Sequence, residues 1–236
     1  MAQRRRGKRS RTNNERNNAD ETIVDLIEAK ESAQSWFDQN RQLILTVVGA
    51  VVLLIVGFVA YKLLYQQPRE KQALSQMYKA EQAFSQDSTT KALTDAGGGY
   101  PGFIKVVEDY GNTNAGDVAN LYAAQAYLKE GKFEAALDYL SDYSGGGKLG
   151  DALRNGMKGD AYSELGNMDK ALSAYKNASK SDNEFFAPYF LLKYAMLSEK
   201  QGDTSTALET YKQIKKEYPT SVQGQNIDAY IARVEK

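Results

Sequence analysis

The chain has 236 residues, and its 30 Lys and Arg balance 30 Asp and Glu, so global electrostatics selects neither nucleic acid nor an acidic substrate. It contains no cysteine and no histidine. That excludes disulfides, thiolate nucleophiles, zinc sites of the Cys/His type, haem held by those side chains and every triad built on an imidazole.

The charge is unevenly spread. Arg4, Arg5, Arg6, Lys8, Arg9, Arg11 and Arg16 face only Glu15 at the start of the chain. This polar stretch, poor in apolar side chains, predicts a disordered basic tail over 1–20. Anionic lipid or the ribosome would satisfy its charge equally well. Over 21–40, Ile23, Leu26, Ile27, Ala33, Trp36 and Phe37 keep helical spacing and predict an amphipathic juxtamembrane helix. It is either an interfacial stop or a docking helix, with Trp36 and Phe37 suited to the headgroup layer of a membrane lipid.

Residues 43–61, LILTVVGAVVLLIVGFVAY, carry no charge. At the helical rise such a run covers roughly 30 Å of hydrocarbon, so 43–65 is read as a transmembrane helix. The long preceding segment and the missing small-x-small exit favour an uncleaved anchor over a signal peptide. Lys62 can snorkel to the interface beside Tyr61 and Tyr65. Gly49 and Gly57 lie near one face and permit close helix packing in lipid, or simply lend flexibility. The short basic tail favours a cytoplasmic N-terminus, with the bulk of the chain on the outer side.

Residues 66–116 read as a helical stem with pre-repeat helices. Pro68 opens a stretch striped by Ala73, Met77, Ala80 and Phe84; DAGGGYPG breaks it; Pro101 then begins a short helix that Gly111 terminates.

From 117 to 220 the chain repeats itself. GNMDKALSAYKNA at 166–178 returns as GDTSTALETYKQI at 202–214, so that Gly166, Ala171 and Tyr175 fall on Gly202, Ala207 and Tyr211. A looser copy, GKFEAALDYLSDY, holds Gly131, Ala136 and Leu140 in the same places. Small residues facing large ones let paired helices approach closely, and with Ala124, Tyr127, Gly159, Tyr162, Ala178, Ala195, Ser198 and Pro219 the pattern resembles three tetratricopeptide repeats. Residues 221–236, striped by Ile227, Tyr230, Ile231 and Val234, read as the capping helix that such a stack requires. The expected fold is all-α: one N-terminal transmembrane helix, then a helical-repeat solenoid. The glycine clusters at 97–99 and 145–147 lack the Lys-Ser/Thr that completes a phosphate loop and read as flexible joints. Carboxylates fall on solvated helix faces, so no catalytic, cofactor-binding or metal-binding residue is expected and the chain reads as non-enzymatic.

Function is then expected on surfaces. The concave face formed by the first helix of each pair would present Leu121, Gln125, Leu128, Asp160, Ser163, Tyr189, Leu192 and Met196, a mixed set suited to an extended or helical segment. Each is alternatively an ordinary inter-helix contact.

The segments WFDQNRQ, YPGFIKVVEDYGNTNAGDVANLYAAQAYLKEGKFEAALDYL and QIKKEYPTS, in this layout, resemble the YfgM-type membrane-anchored tetratricopeptide proteins, most closely the Bacteroidota version. The resemblance runs from residue 33 onward. It implies an accessory subunit of the SecYEG translocon in a bacterial inner membrane, its repeats in the periplasm, working with a PpiD-type periplasmic chaperone on nascent exported proteins. The rival readings are a stand-alone periplasmic holdase and a scaffold for another envelope-assembly complex.

Overall fold

The structure, a computed structural model, describes residues 3–235, with side chains described from residue 30 on. The chain divides into two compact units, one ending at Leu63 and the other beginning at Leu64.

In the first unit, α1 is one uninterrupted helix, Gln3–Tyr61. This differs from the expected sequence of disordered tail, juxtamembrane helix and separate span. Nine of the first twenty residues are Arg, Lys, Glu or Gln, which lose little rotamer freedom in a helix, and no proline interrupts the stretch. Polarity argued against a packed core there, not against helix. The side chains of the basic cluster and of Ile23, Leu26 and Ile27 lie outside the described residues. Among the described residues one helix is long and apolar enough to cross a membrane, and none of its most apolar stretch is buried. A π-helical turn, Lys62–Gln66, follows α1.

The second unit opens with α2, Gln67–Ser85, whose Ala73, Met77, Ala80 and Ala83 are buried. Next come the short α3, Thr89–Thr94, and an antiparallel ribbon of β1, Asp95–Gly97, and β2, Tyr100–Pro101. Pro101 therefore closes a strand instead of opening a helix. The helix after it, α4, spans Phe103–Tyr110 and starts at Gly102, where a side chain would strike the backbone of Leu93. One core ties these elements to α5, Asn114–Lys129: the rings of Phe103 and Tyr122 stack at 5.0 Å, with Phe84 edge-on to both. Glu70 of α2 accepts the amides of Asn114 and Ala115 at 2.8 and 2.9 Å and so caps α5. Residues 66–116, expected as a stem, thus share the core of the stack.

The remaining helices alternate as the repeat predicts: α6, Phe133–Asp142; α7, Gly147–Glu164; α8, Met168–Ala178; α9, Phe186–Lys200; α10, Thr204–Glu217; and α11, Val222–Val234. Within each pair the first helix is stopped by a glycine in the left-handed region, Gly131, Gly166 or Gly202. The following amide returns to the carbonyl five residues back, Lys132 to Tyr127, Asn167 to Tyr162 and Asp203 to Ser198. The signature alanines 124, 136, 171, 195 and 207 are fully buried.

Two junctions share one further design. Thr113 donates to the carbonyl of Tyr110 and accepts from the amide of Gly116; Ser221 does the same between Tyr218 and Gly224. A side chain on either glycine would collide with the tyrosine carbonyl. These motifs mark α4 as the counterpart of α10 and α5 as the counterpart of α11, so the array begins one degenerate unit before the first repeat read from sequence.

Gly156 and Gly159 of α7 are contact points. A Cβ on Gly156 would come within 2.1 Å of the Phe190 ring, and one on Gly159 within 2.5 Å of the Tyr175 ring. Gly156→Ala is expected to overpack the join between the second and third pairs and to lower stability by about 1–3 kcal/mol, read as a shifted denaturation midpoint. An unchanged midpoint would contradict this packing.

Candidate functional site

The first helices of the pairs, α5, α7 and α9, carry the candidate face. Leu121 and Leu128 are half-buried and pack with Tyr127, Tyr139 and Met157 around Ala124, Ala136 and Leu140. Leu192 packs likewise against the cluster of Ala195, Ala207 and Tyr211. These three apolar side chains are spent largely within the stack. Gln125 is exposed, Ser163 is half-buried, and Tyr189 and Met196 are 37 % and 45 % exposed. Of the eight expected residues, then, Gln125, Tyr189 and Met196 are the most open to a partner.

Asp160 is engaged otherwise. Its Oδ1 accepts from the Tyr175 hydroxyl at 2.7 Å and from Lys193 Nζ at 2.5 Å. The same ammonium lies over the Tyr175 and Tyr189 rings, 5.6 and 5.2 Å from their centroids. Three helices, α7, α8 and α9, therefore meet at one carboxylate. Burial raises the Tyr175 hydroxyl well above its ordinary range and Asp160 adds to the shift, so the phenol stays a neutral donor. Burial alone would lower Lys193, but Asp160 and Tyr189 outweigh it and the ammonium is held charged.

One repeat further on the arrangement recurs. Glu199 of α9 accepts from the Tyr211 hydroxyl of α10 at 2.7 Å, and Arg233 of α11 grips both Glu199 oxygens at 2.7 Å while stacking over Tyr230. Sequence reasoning missed both nodes, naming Asp160 only as a groove residue and Glu199, Lys193 and Arg233 not as partners. A signal was present: Lys193 follows Asp160 by 33 residues and Arg233 follows Glu199 by 34, each close to one repeat.

Beside the glycine cluster at 145–147, Asp117 accepts the amides of Ser144 and Gly145 at 2.8 and 3.2 Å, and the Tyr143 hydroxyl occupies the space that side chains on Gly146 and Gly150 would need. In the other unit, Trp36, Phe37 and Lys62 are exposed, and a Cβ on Gly49 or Gly57 would meet nothing within 4 Å.

The Glu199 node makes a pH prediction. Arg233 foremost, with Tyr211, holds this carboxyl below its ordinary value of 4.5, against a smaller opposing effect of burial. Because the folded pKa is the lower one, the node's stabilisation is complete above the ordinary value of 4.5 and is lost as pH falls from there through the folded pKa. Arg233→Gln should cost about 1 kcal/mol at neutral pH, the pair being partly exposed. In thermal unfolding, the gap in Tm between the wild type and this variant should close as the pH is taken well below 4.5. A constant gap would mean that Glu199 is not its source.

Among curated proteins none matches this sequence. A tetratricopeptide repeat-like domain model matches residues 34–148 and again 103–185, and a tetratricopeptide repeat model matches 189–221. The first match takes in the apolar part of α1 as well as α2 to α6, in keeping with the early start of the array. Such families are typically non-enzymatic scaffolds for protein–protein interaction. The helix pairs, their glycine stops and these matches lead to one assignment: the chain belongs to the tetratricopeptide repeat-like family.

Proposed function

We propose that this protein is a non-enzymatic, membrane-anchored scaffold ancillary to the SecYEG translocon, linking it to a PpiD-type periplasmic chaperone during export and folding of envelope proteins. The observation that supports the anchored-scaffold part is the family match running from residue 34 through the apolar helix into the repeats. That no part of the apolar stretch is buried fits a helix solvated by lipid. The translocon part rests on the resemblance of WFDQNRQ and the long YPGFIKVV segment to YfgM-type proteins.

In this reading α1 crosses a bacterial inner membrane with its basic start in the cytoplasm, against anionic lipid or the ribosome. Trp36, Phe37 and Lys62 lie at the interfaces, and Gly49 and Gly57 admit a neighbouring helix. The periplasmic stack offers Gln125, Tyr189 and Met196 as accessible anchors, with Leu121, Leu128, Asp160, Ser163 and Leu192 shaping the surface between them.

Protease added to intact cells stripped of their outer membrane should cut residues beyond Pro68, whereas protease on the cytoplasmic side should leave them intact. The reverse pattern would end this topology. Purification of the full chain in gentle detergent should recover the Sec channel, and Gly49→Leu with Gly57→Leu should reduce that recovery. Tyr189→Ser with Met196→Ser should instead release the periplasmic chaperone while circular dichroism stays unchanged. Mixed client proteins without the channel would replace this reading with a holdase, and an enzyme complex would replace it with an envelope-assembly scaffold.

A further inference from the structure

Where the first helices begin, the edge of the stack carries a row of apolar side chains that the groove does not use. Leu149 in the first turn of α7, Phe185 at the N-cap of α9 and Val222 at the start of α11 are 45 %, 67 % and 68 % exposed. They stand about one repeat apart in sequence, so the array places one at each successive opening. Phe185 and Val222 also share the lining of an open recess of about 420 Å³ with Glu184, Glu217, Tyr218 and Ser221. No Lys or Arg lines it.

We infer that this recess is a docking site for a partner-protein segment that carries Lys or Arg beside an aliphatic or aromatic side chain. Exposed apolar surface rimmed by charge is costly to leave in water and marks interaction sites. The charge selects the occupant. Burial raises the Tyr218 hydroxyl, and the nearby charges of Glu217, Asp182 and Glu184 push it the same way. Asp182 is already paired with Lys148. Glu184 forms no hydrogen bond or ion pair among the described residues, and Glu217 accepts only from the Gln213 amide at 2.9 Å. Two carboxylates with no ion pair among the described residues therefore share this recess with Phe185, Val222 and Tyr218, a setting that attracts a cation by charge.

An anionic occupant is disfavoured by the same geometry. The first amides of α9, those of Phe185 and Phe186, are already taken by Asn183 Oδ1 at 2.9 and 3.1 Å, and the amide of Gly224 in α11 by Ser221 Oγ at 2.9 Å. The first amides of α9 are thus spent and at α11 that of Gly224 is, and what chiefly disfavours an anion is the presence of Glu184 and Glu217 in the lining of the recess. The recess lies at the helix starts, ahead of the groove residues Tyr189, Leu192 and Met196 on α9, and the inference holds whichever machinery the chain serves.

The test uses the full chain in neutral-lipid nanodiscs, with empty nanodiscs subtracted, and a short fluorescent peptide of lysine and leucine with one photoreactive phenylalanine analogue. Wild-type protein should bind it with cross-links on residues 184–185 and 217–223. Phe185→Ser with Val222→Ser, and separately Glu184→Gln with Glu217→Gln, should each weaken binding at least ten-fold. All four positions are exposed, so these variants should keep the wild-type circular dichroism. Glu134→Gln with Asp138→Asn, on the exposed face of α6, should bind as the wild type does. A peptide whose lysines are replaced by glutamate should not bind. Equal binding by all variants, or cross-links confined to other faces, would overturn the proposal. Self-association of the chain that Phe185→Ser and Val222→Ser abolish would also overturn it, by assigning the recess to a second copy.

Discussion

The Phe190 ring lies where a side chain on Gly156 would be, and the Tyr175 ring lies where one on Gly159 would be. Much of the stack's second half follows from this close approach. Two bulky rings from neighbouring helices can rest directly on the α7 backbone only because nothing projects there, and the buried Ala152 of α7 and Ala171 of α8 pack in the same cluster as those rings. The polar chemistry follows as well. Asp160 is the next residue after Gly159, so seating the Tyr175 ring on the glycine delivers its hydroxyl to the carboxylate, and the third pair brings Lys193 to the same point.

Ring packing alone is tolerant of sliding, because apolar surfaces attract without direction. A carboxylate shared by a phenol and a cation is not, since each bond demands its own distance and angle. The Asp160 node fixes the third pair on the second, and the Glu199 node fixes α11 on the third. Two successive joins thus use one plan with different residues, an aspartate and lysine in one case and a glutamate and arginine in the other. For α11 the join is a bidentate ion pair, Arg233 to both oxygens of Glu199 on α9.

These internal uses decide what is left for partners. Side chains that read as groove anchors divide into those consumed by packing, such as Leu121, Leu128 and Leu192, the one consumed by a polar node, Asp160, and those still open, Gln125, Tyr189 and Met196. Phe185 and Val222, at two helix starts, are open too. In the other unit, one helix among the described residues is long and apolar enough to cross a membrane, and none of its most apolar stretch is buried.

How much of this is legible in the amino-acid sequence depends on the range of the interaction responsible. The glycine stops at 131, 166 and 202, the alanine and tyrosine places behind them and the uncharged run at 43–61 are local devices, set by backbone freedom, residue size and hydropathy, and these the sequence determined by itself. The earlier start of the array was hidden because α3 and the β1–β2 ribbon interrupt the period between α2 and α4, leaving only the Tyr110-to-Gly116 junction to echo Tyr218-to-Gly224. The helical state of the N-terminal stretch was hidden for another reason: composition reports whether a segment has a core to bury, not whether its backbone coils. What only the tertiary structure decided was the fate of each polar side chain. Asp160, Glu199, Lys193 and Arg233 look like solvated charges along their own helices, and they become partners because a solenoid brings residues one repeat apart to a shared point, a proximity no single helix contains.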